Sequence, residues 1–338
     1  MKKIVGTIAA IALAASSAFA GANFGMGFNR GVWMPVKGDG NDVKVFEGTS
    51  WAGAARQGLS FSASSENMGV AIDINGDDGG IGVGDVSCLW AQPWSWLKVT
   101  IGKAQDDTGR GCAGFGVRDW GRTSKAAEFD DDFTFTRFGN GKGAQAVGAI
   151  VKVTPVDGLW AVAAFDINDN DNAENAYTKK AQYGAGYVID GIGHIRAQYI
   201  GQQNSINAAF DLTAVDNLAL SVGAYIPLEE NAETKIRAYA KFSLDAITLH
   251  LLEAASIDGS TFVNDAAVGL DYDFGNGLGL NADVRVKNTT DMNVSFMAGL
   301  KKSLANGFIG LGFEGSLVNV TTDASFSWAV PVVIQAGF

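Results

Sequence analysis

Apolar side chains occupy every second position through most of the chain, in runs of about ten residues broken by turn residues. In LALSVGAYI, Leu218, Leu220, Val222, Ala224 and Ile226 share one face of an extended strand, and Ala219, Ser221, Gly223 and Tyr225 share the other. In TKIRAYAKFSL, Ile236, Ala238, Ala240, Phe242 and Leu244 stand opposite Lys235, Arg237, Tyr239, Lys241 and Ser243. LGLNADVRVK sets Leu278, Leu280, Ala282, Val284 and Val286 against Asn281, Asp283, Arg285 and Lys287. The run FSWAVPVVIQAGF puts Phe326, Trp328, Val330, Val332, Ile334, Ala336 and Phe338 on one face. A helix, with a period of about 3.6 residues, would mix these sets, so the pattern predicts strands nearly throughout.

The connections are of two kinds. PWSW (93–96), PVDG (155–158), IDGIG (189–193), VDN (215–217), LDA (244–246), FGNG (274–277) and LANG (304–307) are tight turns. Alternating with them are generally longer, more polar connections at 34–49, 75–80, 105–142, 168–179, 227–233, 256–262 and 319–325, with short ones near 202–204 and 288–291. The segments count to about eighteen antiparallel strands, sixteen being the second choice, with tight turns on one rim and long loops on the other. So many strands enclose a space too wide for side chains to fill. A soluble sandwich buries its apolar face, but here the opposite face carries Arg, Lys, Asp, Gly and Ser, which suits a wet lumen with the apolar face on lipid. Closure also leaves no open sheet edge in hydrocarbon, where each unsatisfied backbone group costs several kcal/mol. The predicted fold class is all-β, a transmembrane antiparallel β-barrel.

Residues 1–20 stand apart from this pattern. Met1-Lys2-Lys3 is a short positive region, Ile4 to Ala15 is apolar, and Ala18-Phe19-Ala20 is a small-x-small cleavage site. We read 1–20 as a secretory signal peptide and 21–338 as a single barrel domain. The formal charge of −11 becomes −13 once Lys2 and Lys3 leave with the leader, which argues against nucleic acid as a partner. With 44 Gly and only 5 Pro the composition is unlike that of a helical protein. Tryptophan supports the same architecture. Trp90, Trp94, Trp96 and Trp160 fall near tight-turn ends of segments and Trp33, Trp51 and Trp328 near long-loop ends, where interfacial girdles are expected; Trp120 lies in the longest loop.

A signal peptide, amphipathic strands and a last strand ending in Phe together resemble the bacterial outer-membrane porins. The resemblance implies that Phe338, with Ala336, Ile334, Val332 and Val330, is read as a signal by the barrel-insertion machinery. It also implies that the longest loop, 105–142, the third on its rim, folds into the lumen and narrows the pore. That loop carries Asp106, Asp107, Asp119, Glu128, Asp130, Asp131 and Asp132 among Arg110, Arg118, Arg122, Lys125, Arg137 and Lys142. We take Asp106, Asp107, Glu128, Asp130, Asp131 and Asp132 as the acidic side of a constriction. The basic wall facing it is read from strand phase as Arg56, Lys98, Arg196, Lys235, Arg237, Lys241 and Arg285. Acids opposite bases would set a transverse field that orients small polar solutes. The expected function is passive diffusion of ions and small hydrophilic solutes across a bacterial outer membrane, with membrane lipid around the barrel and a homotrimer as the family's assembly. A substrate-specific channel, and an adhesin or structural surface barrel, are the alternatives.

Cys88 and Cys112 are the only cysteines, in an oxidising compartment where a bridge would tether the loop to the wall. Against that, Val86, Cys88 and Trp90 share a face, which phases Cys88 toward lipid. No enzymatic activity, cofactor or metal site is expected. His194 and His250 are the only histidines and neither has ligands at metal spacing. No G-x-S-x-G elbow or phosphate-cradling loop occurs, and DINDNDNAEN (166–175) lacks the Gly and Glu of an EF-hand.

Overall fold

The computed structural model describes residues 22–26, 29–40, 42–48, 55–77, 80–110, 137–141, 144–145, 147–166, 174–230, 232–258, 261–287 and 291–337. Residues 1–20, read above as a signal peptide, and Trp51, Trp120 and Phe338 lie outside these residues. The first strands in order are β1 (Ala22–Met26), β2 (Asn29–Asp39), β3 (Asp42–Gly48), β4 (Ala55–Ser64), β5 (Met68–Asp77), β6 (Gly80–Trp94) and β7 (Leu97–Lys103). Three short strands follow, β8 (Gln105–Asp106), β9 (Phe138–Gly141) and β10 (Ala144–Gln145). Next come β11 (Val147–Val156), β12 (Leu159–Asp166), β13 (Gln182–Ile189), β14 (Gly193–Ile200), β15 (Ser205–Leu212), β16 (Leu218–Pro227) and β17 (Thr234–Leu244). The series ends with β18 (Ile247–Asp258), β19 (Thr261–Gly275), β20 (Leu278–Lys287), β21 (Asn293–Leu304), β22 (Gly307–Val318) and β23 (Ser325–Ala336).

Twenty of these strands make one antiparallel sheet, and β8, β9 and β10 make a small second one. Successive strands pair from β4 to β7, across to β11, and on to β23. The ring returns on itself because β2 bonds β23 along one edge, Val32 facing Val333, and β3 and β4 along the other. β1 and β2 share the first place and β3 and β4 the second, since β4 pairs with both β1 and β2. Among the described residues the sheet therefore has eighteen places, the number counted from the sequence. The connection predicted as a loop at 34–49 is instead a hairpin extending the first two places, with β2 and β3 paired from Asp39 and Asp42 back to Trp33 and Gly48.

Tight turns carry the residues that their geometry requires. At the β19–β20 turn Asn276 (φ 53°) and Gly277 (φ 72°) both adopt left-handed backbone, the pair of conformations that matches strand twist in a two-residue hairpin. Asp245 (φ 50°) and Asn217 (φ 65°) serve the β17–β18 and β15–β16 turns.

The two faces of the sheet are sorted by polarity, with the apolar one outward. Ile195, Val222, Ile236, Leu251, Val268, Val284, Leu300, Leu311 and Ile334 are exposed on the outer face, while Arg196, Asn207, Asp211, Arg237, Asp283, Arg285 and Glu314 are buried on the inner one. Water-soluble folds do the reverse, and a closed sheet with this polarity meets hydrocarbon without an unpaired backbone edge. Trp33 points outward, and Trp94 and Trp96 stack in parallel on the β6–β7 turn (5.5 Å, 10°). Two tryptophans depart from the expected girdles. Trp160 is buried on the inner wall, and Trp90 faces inward beneath the Lys98 ammonium. Both lie in segments apolar on either side, where alternation alone leaves the phase undetermined.

Candidate functional site

The lumenal surface is built where the long loop leaves and rejoins the wall. The outgoing arm runs from Ala104 through β8, and the returning arm, β9, pairs with it, Gln105 opposite Gly139 and Asp106 opposite Phe138. Ala104 and Phe138 pack on Ile150, Trp160, Val162 and Ala164 of the inner wall, so both arms lie inside the barrel. Arg137 ties them together, donating from Nε to Asp107 Oδ1 (2.7 Å) and from Nη1 to Gln105 Oε1 (2.7 Å). Lys152 reaches up from β11. Its ammonium donates to Thr108 Oγ1 and lies 3.5 Å from Asp106 Oδ2. Asp107 also has Arg110 at 3.9 Å. Of the acids assigned to the constriction, Asp106 and Asp107 are thus paired with bases; Glu128, Asp130, Asp131 and Asp132 lie outside the described residues.

Acidic residues stand among the bases assigned to the wall. Arg196 donates from Nη1 to Asp211 Oδ2 and from Nη2 to Asp211 Oδ1 (3.2 Å), both side chains being buried. Arg285 Nε lies 3.4 Å from Asp283 Oδ1, also buried. Lys235 lies 3.8 Å from Glu233, Arg237 is buried, and Lys241 is exposed. Lys98 places its ammonium 4.7 Å from the Trp90 ring centre. It is the direct cross-strand partner of Lys152, and the two cations turn to different companions, an aromatic face and a carboxylate. Arg56 belongs to β4 by its backbone, and its side chain is outside what is described. A buried guanidinium is tolerable only beside a matching charge, so acids such as Asp211 and Asp283 are interleaved with the arginines on the same face.

Sequence reading missed two rows of polar contacts on this wall. In one, Ser221 Oγ donates to Asp211 Oδ1, His194 Nδ1 lies 4.0 Å from Asp211 Oδ2, and Trp160 Nε1 donates to His194 Nε2 (2.9 Å). In the other, His250 bridges two neighbours, with Nδ1 2.8 Å from Tyr239 Oη and Nε2 2.7 Å from Asp271 Oδ2; Asn281 Nδ2 donates to Asp271 Oδ1 (2.5 Å). The signal for both was present as polar residues on the lumen-facing parity of adjacent hairpins, and register brings them together. No group of three or more metal-ligating side chains occurs among the described residues.

Cys88 reverses its expected orientation. Leu89 is the exposed outward residue of that stretch, and Cys88 faces inward, packed against the apolar cluster under the loop arms. The set Ser87, Leu89 and Ala91 is nearly as apolar as Val86, Cys88 and Trp90, and the loop arms supply the inward set with something to pack on. Cys88 is a free thiol, while Cys112 lies outside the described residues. On β23, Ile334 is exposed on the outer face, with Val332 on the same side half-buried and Val333, Pro331 and Ala329 buried on the other.

No protein-family model and no curated protein matches this sequence. Among solved structures the chain is similar to the outer membrane protein opdK from Pseudomonas aeruginosa, at 11% identity, covering 95% of this chain and 99% of that one with a TM-score of 0.56. It is similar to OpdL of the same organism, at 11% identity, 94% and 98% coverage and a TM-score of 0.56. A mutant of the Rh. blastica porin aligns at 13% identity over 93% of this chain and 99% of that chain, with a TM-score of 0.52. At such identities the likeness is one of backbone architecture, and with the closed sheet, the outward apolar face and the loop arms inside, the chain has the fold of an outer-membrane porin-like β-barrel.

Proposed function

We propose that this chain is an outer-membrane channel through which ions and small hydrophilic solutes diffuse passively. The observation that carries the reading is the inverted polarity of a closed eighteen-place sheet, apolar outside and charged within. A barrel of that girth leaves room for water, and lumenal side chains then tune what passes. Lys98, Lys152, Lys241, Asp106, Asp107 and Arg137 are not fully buried and would line this path. The reading calls for no covalent chemistry and no cofactor. Outer-membrane lipid as the surroundings, the insertion machinery as reader of the last strand, and a homotrimer belong to the same proposal by likeness of fold.

The experiment is single-channel recording of the purified mature chain in planar bilayers. Large, ohmic steps that no solute blocks are expected for general diffusion. Block by one class of solute would make the channel substrate-specific instead. Absence of steps from a folded barrel would refute the channel and leave the surface-barrel alternative.

A further inference from the structure

The returning loop arm packs on the wall through Phe138. Phe138 is fully buried on the inner wall, edge-on to Trp160 (6.1 Å, 72°), with Ile150 in the same cluster. Its ring occupies the space that a side chain at position 184 would need. A Cβ built on Gly184 would fall inside 3.0 Å of the ring, closer than real Cβ atoms come. On the outgoing arm Gly109 makes the same allowance, a Cβ there meeting Phe138 Cε2 at 2.9 Å. The next residue completes the seat. Gly139 has left-handed backbone (φ 85°) and its N–H donates to Oε1 of the buried Gln182 (2.9 Å).

We infer that Phe138 is the positioning residue that seats the loop arms on the lumenal wall, and that Gly184 is the socket that admits it. An exposed, charged arm in a wet lumen has little reason to stay on the wall unless an apolar anchor holds it, and a ring this size is held only where the facing strand has no side chain. The geometry stands by itself, while its effect on ion current rests on the channel reading above. The anchor would hold Asp106, Asp107, Arg137 and Lys152 in one arrangement, so Phe138 acts on permeation through them without touching solute.

Cys88 supplies the reporter, because its thiol packs against the same cluster. In a Cys112→Ser background, labelling by a membrane-impermeant maleimide is expected to be slow in the parent and about tenfold or more faster in Phe138→Ala and in Gly184→Ala, as local opening becomes easier. Combining Gly184→Ala with the smaller Phe138→Leu should return the rate toward that of the parent, a rescue that loss of general packing would not produce. Open-channel current noise should rise and fall in parallel. Parent-like labelling in both single variants, with the barrel folded by its heat-shifted mobility, would overturn the inference; Gly184→Ala decides the matter should Phe138→Ala fail to fold. A parent that conducts no current would remove the channel reading and leave the labelling result to judge the anchor.

Discussion

Trp160 lies across Gly186, its direct partner on the neighbouring strand, so closely that a Cβ on the glycine would come within 2.5 Å of the indole. The arrangement recurs at cross-strand pairs around the sheet. Trp90 covers Gly69 at the same distance, Trp328 covers Gly38 and Phe296 covers Gly315. Glycine in a strand weakens it by loss of packing, and an aromatic ring laid over the bare backbone restores that contact. We expect Gly186→Val to displace Trp160 and break its hydrogen bond to His194, destabilising the barrel by about 1–3 kcal/mol as overpacked sites do. Urea unfolding followed by tryptophan fluorescence measures this, and an unchanged midpoint would show that the pairing is incidental.

Polarity of the outer face predicts a depth-dependent cost for charge. Leu251 is exposed in the middle of β18, and Leu304 is exposed at the tight-turn end of β21. Leu251→Arg should cost about 2–4 kcal/mol in lipid vesicles and Leu304→Arg about 0–1 kcal/mol. Reversible folding into vesicles under urea gives both values. Equal effects at the two sites would contradict the assignment of Leu251 to the bilayer centre.

The Arg196–Asp211 pair predicts a non-additive pattern. Arg196→Leu leaves a buried carboxylate without its guanidinium and should destabilise the barrel by about 3–5 kcal/mol, whereas adding Asp211→Leu should recover most of the loss. A double-mutant cycle on urea midpoints reads the coupling. Additive losses would mean that the two side chains do not support each other.

Lumenal cations should bias ion selectivity. Lys98 and Lys241 face the lumen, so Lys98→Glu together with Lys241→Glu should move the reversal potential in a KCl gradient toward cation preference. An unmoved potential would place the permeation path away from both. Raising ionic strength should shrink the difference between parent and variant, since exposed charges are screened.

Much of this architecture was legible because alternation is a strong signal wherever one face of a strand is polar. TKIRAYAKFSL and LGLNADVRVK show it, with Ile236 and Val284 outside and Arg237 and Arg285 inside, as their phase required. Turns such as FGNG were legible for a similar reason, since few residues accept left-handed backbone. Trp160 and Cys88 were not legible in the same way. LWAVAAFD offers apolar residues to both faces, and a period of two then has two equivalent phases. The acidic partners of the wall arginines were hidden for another reason. Arg196 and Asp211 are neighbours only after β14 and β15 pair with Arg196 opposite Ala209.

Local alternation and local backbone preference along the chain are enough to specify a closed sheet of about eighteen strands, its turns and an outward apolar face. Which apolar residues turn inward, and which charges neutralise one another, emerges from the folded arrangement alone. Phe138 on Gly184, Trp160 on Gly186 and Arg196 beside Asp211 are contacts between residues on different strands or on a loop folded back, and their energies depend on register and distance. Pattern along a chain carries neither quantity.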